Sequence, residues 1–353
     1  MAFIIPATVM AGYYLGGWWN MLPLVFVFIL IPLFDYWTGT SSYNLPKDQV
    51  SMVSNAFFYR FVTYLWTYFQ LGFLFWAFYV VTFGNLNSPH EWIGFTLGTG
   101  LVTGGIGITV AHELGHKKSE LERFYSKVLL MTVTYMHFYI EHNKGHHVTV
   151  ATPEDPATSR KNETFYAFWV RSVFGGYRHA WKIENRRLER KGAKTLSIHN
   201  QMIWFTLLPF MFISLVTLVF SIWAGYFVWP LVAFFFAQSF IAFTLLEQVN
   251  YIEHYGITRK EIAPGKYERV TPLHSWNASH IISNFFLFQL QRHSDHHANA
   301  IKRYQVLYHY DESPQLPAGY STMIILALVP GLWFRLMNPR LEQWQRESEL
   351  VPA

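Results

Sequence analysis

Cysteine is absent from the 353 residues. That excludes a disulfide scaffold, a thiolate zinc finger, a thiol enzyme and a cysteine-ligated iron–sulfur protein. Charge is also scarce: Asp, Glu, Lys and Arg make up 14% of the chain, against roughly 25% in an ordinary soluble domain. Hydrophobic residues reach 52% and aromatics 19%. That composition excludes a disordered chain, which would be polar and poor in aromatics. An integral membrane protein remains.

The charge-free stretches make this concrete. No charged residue precedes Asp35, and none occurs over 61–90, 92–112 or 195–246. A spanning helix needs about 20 mainly apolar residues. The pattern predicts an all-α integral membrane protein with six transmembrane helices, near 2–18, 20–35, 60–83, 92–112, 200–223 and 227–250. Gly16-Gly17 and Asn20 mark the turn between the first two. The rest, 113–199 and 255–353, is expected to form a helical cap within one domain covering 1–353. A seventh apolar run, Tyr320–Phe334, contains Pro330 and reads as re-entrant or lying on the surface. The N-terminal stretch has no Lys or Arg, so it lacks the basic region of a cleaved signal peptide.

All 27 Lys and Arg fall in 35–60, 112–200 or beyond Tyr255. Basic residues mark the cytoplasmic side of a membrane protein. The cap therefore reads as cytoplasmic, and the net charge of +5 as a face beside anionic lipid, not a nucleic-acid site.

Sixteen histidines are present, and they cluster. One group is His112 and His116. A second is His142, His146 and His147, and a third is His293, His296 and His297. His254 stands alone at the end of the sixth span. All four positions lie at one membrane depth. Residues three or four apart on a helix share a face, so His112 pairs with His116, and His142 with His146. Nine imidazoles exceed the needs of one ion and suit two. Imidazole donors favour iron, copper, zinc or nickel. His90, His137, His179, His199 and His309 read as structural, whereas His280 and Ser275-Trp276-Asn277 read as possible supports. A zinc protease competes, because His112-Glu113-Leu114-Gly115-His116 is literally HExxH. It would leave most of the histidines unused.

The runs His112–Lys117 (HELGHK), Glu141–His147 (EHNKGHH), Asn250–Gly256 (NYIEHYG) and Leu290–Ala298 (LQRHSDHHA) resemble the motifs of the AlkB-type alkane 1-monooxygenases. These belong to the membrane-bound di-iron hydroxylase and desaturase superfamily. The resemblance implies two non-haem irons on His112, His116, His142, His146, His147, His254, His293, His296 and His297. It also implies O2 as co-substrate, a medium-chain alkane arriving from the bilayer, and terminal hydroxylation in a bacterial inner membrane with the site facing the cytoplasm. Electrons would come from rubredoxin and rubredoxin reductase; the chain has no cysteine and so contains no rubredoxin itself. Xylene-type monooxygenases and fatty-acyl desaturases are the sister alternatives.

Metal-bound imidazoles usually donate their outer N–H to a carboxylate or carbonyl. Glu113, Glu141, Glu253 and Asp295 neighbour a histidine of the set in sequence. With Asp155 they are the expected supporting carboxylates, unless basic neighbours occupy them instead. Gly98, Gly100, Gly104, Gly105 and Gly107 precede the first cluster and serve either close helix packing or a channel wall. Arg160, Lys161, Arg292, Lys302 and Arg303 are the expected docking charges for an acidic electron donor, or else contacts to lipid.

Overall fold

The computed structural model describes residues 1–350. Five helices are long and apolar enough to cross a membrane: Gly17–Thr38, Phe57–Phe83, Pro89–Gly115, Gln201–Ala224 and Trp229–His254. The expected first span is shorter than a crossing. Ile4–Leu15 has 12 residues, about 18 Å at 1.5 Å per residue, against a hydrocarbon thickness of about 30 Å. It stops at Gly16, whose φ of 71° suits a residue without a side chain.

Local chemistry sets the helix ends. Pro89–Gly115 begins with a capping box between Ser88 and Glu91, with Pro89 in the first turn. Glu91 also accepts from the Gly17 amide at 2.7 Å, tying the first hairpin to the second. Gln201–Ala224 starts at Asn200, whose side chain accepts from the Met202 amide, and ends at Gly225 with φ 77°. The tight turns at 84–88 and 225–228 lie at one end of the bundle. The chain termini of the same hairpins lie at the other, where every Lys and Arg is found.

A buried polar chain crosses the bundle. Trp66 donates to Gln70 at 2.9 Å, and Gln70 donates to Thr132 at 3.0 Å. Gln238 donates to the Thr132 carbonyl at 2.9 Å and accepts from Thr103 at 2.7 Å. Every member named has a partner, which is what low-dielectric burial requires.

The cap combines helices with long irregular loops and a small hairpin, Glu261–Ala263 with Lys266–Tyr267. The helices Glu120–Met131 and Phe165–Glu189 lie over the bundle. The run Tyr320–Phe334 packs one face inward and leaves Ile325, Val329 and Leu332 exposed. It forms the helix Tyr320–Ala327 and the start of Pro330–Leu350, with Tyr320, Met323, Ala327 and Trp333 fully buried. Pro330 breaks the run because proline opens a helix and cannot continue one. Trp333 then packs its ring 5.1 Å from Tyr251.

Three π-type segments interrupt helices, at Phe26–Leu30, Val102–Ile108 and His142–His146. Such bulges rotate side chains relative to the α pattern. Two of them adjoin the histidines.

Candidate metal centre

His112 lies in the last turn of Pro89–Gly115, and His254 is the last residue of Trp229–His254. The π segment carries His142 and His146, and the short helix His293–Ala298 carries the third cluster. All nine histidines converge, in two groups. His112, His116, His142, His147 and His296 form one; His146, His254, His293 and His297 form the other. Within each group the ligand atoms lie within 4.8 Å of one another.

This division departs from the expected face-sharing of His142 and His146. The π turn pairs residue i with i+5. It places His142 Nε2 3.0 Å from His147 Nε2 and sends His146 to the other group, 3.2 Å from His297 Nε2. The third cluster also splits. His293 and His297 face His254 and His146, whereas His296 Nε2 lies 3.2 Å from His147 Nε2.

The donor set fits cations. His142 Nε2 touches both His112 Nε2, at 2.7 Å, and His147 Nε2, at 3.0 Å. His147 Nε2 in turn touches His296 Nε2. An imidazole nitrogen offers one hydrogen or one lone pair, so hydrogen bonding alone leaves such a chain unsatisfied. His116 Nε2 is buried with no hydrogen-bond partner. Protonating so many buried rings together would be costly. Lone pairs converging on two metal ions resolve both problems. The first group lies nearer the surface, since His116 and His147 are partly exposed; all four members of the second are buried.

The five expected carboxylates part company. Asp155 Oδ2 lies 2.8 Å from His146 Nδ1, the nitrogen pointing away from the centre. Asp155 also accepts from the Thr158 hydroxyl at 2.6 Å and the Ala157 amide at 3.1 Å. Burial pushes the Asp155 carboxyl up, but His146 and Thr158 outweigh it and hold the group below the usual carboxylate range. Glu253 takes a different position. Its Oε2 is 3.1 Å from His293 Nε2, the inward-facing nitrogen, and its Oε1 accepts from the Tyr320 hydroxyl at 2.6 Å.

The other three bind elsewhere. Glu113 pairs with Lys117 at 2.9 Å and accepts from the Tyr304 amide at 3.4 Å. Glu141 pairs with His179 at 3.2 Å. Asp295 accepts from Lys302 at 2.6 Å, the Tyr308 amide at 2.7 Å and Asn299 at 3.0 Å. Glu113 is thus occupied by a lysine, and its two histidines join seven others, which removes the single-zinc protease reading.

Several supporting residues escaped sequence reading. Tyr320 lies in the apolar run and carried no signal there. Thr158 follows Asp155 by three residues, a spacing a carboxylate–hydroxyl turn uses. His179 was read as structural, yet it holds Glu141. Asn277 does support the third cluster, bonding the Ser294 amide at 2.9 Å and the Ser294 hydroxyl at 2.6 Å. His137 stays structural; burial pushes its ring down to about 3, so it is neutral.

The docking charges need revision as well. Arg292 is buried and donates to the carbonyls of Leu307, Tyr43 and Ser41. Lys302 is held by Asp295 and Arg303 by Glu122, the latter at 3.0 Å. Lys161 pairs with Glu342 at 2.8 Å, and Arg160 is exposed. A different basic groove lies beside the second cluster, lined by Lys144, Val148, Ile183, Arg186, Arg187, Arg190 and Lys191.

An apolar cavity of about 910 Å³, its open mouth included, reaches the histidines. Ile5, Val27, Ile31 and Ile324 line it, together with His112, His142, His293, Glu253 and Tyr320. Gly104 and Gly105 form one wall. A side chain at Gly105 would meet nothing within 4 Å, whereas one at Gly104 would strike the Ala242 backbone at 2.6 Å. Gly98, Gly100 and Gly107 likewise press on Pro23, Ile241 and Gln70. Close packing explains four of the five glycines, and cavity space explains Gly105.

Fold and site together define a membrane-embedded, histidine-rich metalloenzyme. The fatty acid desaturase family matches residues 86–326. The chain is 42% identical over 353 residues to alkane 1-monooxygenase 2 of Alcanivorax borkumensis, covering 99% of this chain and 90% of that protein. It is 42% identical over 336 residues to alkane 1-monooxygenase 2 of Pseudomonas aeruginosa, covering 94% and 86%. A more distant relative, at 28% over 363 residues with 99% and 92% covered, is the xylene/toluene monooxygenase hydroxylase component of Pseudomonas putida. The chain belongs to the alkane 1-monooxygenases, an oxidoreductase branch of this superfamily.

Proposed function

We propose that this protein hydroxylates the terminal carbon of medium-chain n-alkanes with O2, at two irons held by the nine histidines. The carrying observation is the apolar cavity that ends on His112, His142 and His293. An alkane offers no group for acid or base chemistry, so a redox-active metal is needed, and zinc has no redox chemistry. When bound, the irons supply the activation of O2. The protein's own residues do the rest. Ile5, Val27 and Ile31 exclude water and admit a lipid-dissolved chain. Gly105 leaves room beside it, and the walls hold its end against the inner histidines. On this reading the cap and the site face the cytoplasm from a bacterial inner membrane, which the grouping of the basic residues supports.

Electrons come, on this reading, from rubredoxin reduced by rubredoxin reductase. The groove of Lys144, Arg186, Arg190 and Lys191 is the docking surface we favour. Lys144 lies on the π segment between His142 and His146, and Val148, 64% exposed, follows His147. An acidic partner there would sit next to the more exposed metal group. Complementary charge speeds association and makes it salt-sensitive. Lys144→Glu should slow turnover with rubredoxin and leave turnover with a small chemical reductant unchanged; equal slowing with both would discard this surface.

The reading itself is tested by incubating iron-loaded protein with octane, labelled dioxygen, rubredoxin and its reductase. Labelled 1-octanol is expected. Octene would indicate desaturation on the same scaffold. Failure with octane but turnover of xylene would move the protein to the xylene-type branch.

A further inference from the structure

The proposed reaction consumes protons as well as electrons. One alkane, one O2, two electrons and two protons give one alcohol and one water. The alkane cavity is lined mostly by apolar residues, so it is a poor route for protons.

A second, smaller void lies behind it. Phe138 and Asn250 line both spaces. Glu247 lines only the smaller void, together with Tyr135, His137, Glu141 and Ser172. Glu247 belongs to the span Trp229–His254 and is 2% exposed. Its Oε1 accepts from the Tyr135 hydroxyl at 2.7 Å, and its Oε2 from Asn250 at 3.4 Å. Ser172 also hydrogen-bonds to it. The groups facing Glu247 across the void are thus hydroxyls, an amide, the neutral His137 ring and the Glu141 carboxylate. The guanidinium of Arg171, next to Ser172, is instead spent on Glu163 and the carbonyls of Pro156 and Thr158. Glu141, which also lines the void, is held by His179, whose side chain is 22% exposed.

An ionisable group in a span is costly and marks function by default. Glu247 has no ion-pair partner among the described residues, is not one of the metal-binding histidines' supports, and does not touch the alkane cavity. It does stand one residue wall away from that cavity. We propose that Glu247 carries protons from the smaller void to the reaction space, past Asn250; this inference rests on the hydroxylase reading above. In each transfer the O–H bond of the protonated Glu247 carboxyl breaks as its proton moves to the oxygen atom that leaves as water. A new O–H bond then forms on the carboxylate with a proton from hydronium on the His179 side, which is left as water. Tyr135 holds the carboxylate in place between the two spaces, as a positioning residue.

The test compares wild type, Glu247→Gln, Glu247→Asp and Tyr135→Phe, each assayed for iron per chain, octanol formation in H2O and D2O, and infrared carboxyl bands in the resting protein. Glu247→Gln should keep its iron and form octanol at least about tenfold more slowly, with a larger solvent isotope effect. Glu247→Asp should recover part of the rate. The resting wild type should show a protonated-carboxyl stretch that shifts in D2O and is missing from Glu247→Gln. Iron-replete Glu247→Gln with an unchanged rate or an unchanged isotope effect would overturn the proposal, as would a missing carboxyl band in wild type. If Glu247→Gln fails to fold or to hold iron, Tyr135→Phe decides, and an unaltered band position and isotope effect there overturn it too. A wild type that makes no alcohol would instead sink the underlying hydroxylase reading.

Discussion

Asp155 and Asp295 are both fully buried beside the histidine clusters, yet they do different work. Asp155 faces the outer nitrogen of His146 at 2.8 Å, so it fixes that ring's tautomer and raises its basicity. Asp155→Asn should weaken metal binding by roughly 10- to 100-fold, read by competition with a chelator. Asp295 instead pins the loop after the third cluster through Lys302, Tyr308 and Asn299. Asp295→Asn should lower thermal stability more than metal affinity. Glu113 behaves like Asp295. Its ion pair with Lys117 is nearly buried, with side chains 3% and 7% exposed, and Glu113→Gln strands a lysine. Breaking a buried pair in this way costs about 3–5 kcal/mol. The expected outcome is a lower melting temperature in detergent, with the metal affinity of the protein that remains folded unchanged. Adjacency in sequence therefore says little about which carboxylate serves a metal ligand. The direction of each side chain decides it, and that depends on the turn each residue occupies.

Among the elements, the π segments matter most. An α-helical His142–His147 would put His142 and His146 on one face. The π turn separates them and distributes the cluster over both metal groups. The second π segment, Val102–Ile108, carries Gly104 and Gly105 past the cavity. These two neighbours should respond oppositely to the same substitution. Gly105→Leu enters open space, so the protein should fold and prefer shorter alkanes, seen in a product profile over chain lengths. Gly104→Leu collides with the backbone of Ala242, so the helices must separate and folded yield should fall. A shift in chain-length preference from Gly104→Leu without loss of yield would contradict this assignment. The inter-helix polar chain through Gln70, Thr132 and Gln238 is a stability element of the same kind. Each such bond in a membrane protein contributes about 0.6 kcal/mol, and at most about 1.7.

For the whole molecule, the two metal groups act as staples. They join the ends of two spans, the π segment and the short helix His293–Ala298, which are separated in sequence by up to 185 positions between His112 and His297. A ligand that binds only the folded state stabilises it by mass action. Removing the metal with a chelator should therefore lower the melting temperature while leaving helix content largely intact, because the spans are held by the bilayer and by their own packing. Circular dichroism before and after chelation checks both halves of this expectation. The charge distribution is another whole-molecule property. Every basic residue lies at one end of the bundle, so the cap, the metal groups and the basic groove share one side.

Composition and charge spacing determined the membrane class and the five long spans, because hydrocarbon tolerates only long uncharged helices. Clustering determined the nine histidines, because so many imidazoles at one depth have no structural use. Only the tertiary structure decided the rest. The sharing of histidines between two groups depended on a π turn that has no composition signature. The fate of Arg292, buried as an internal anchor, and of Lys302, held by Asp295, depended on loops folding back from far along the chain. The position of Tyr320 against Glu253 depended on a short apolar run packing inward. Local pattern reports what a segment can bury; which partner it meets is settled only when distant segments are brought together.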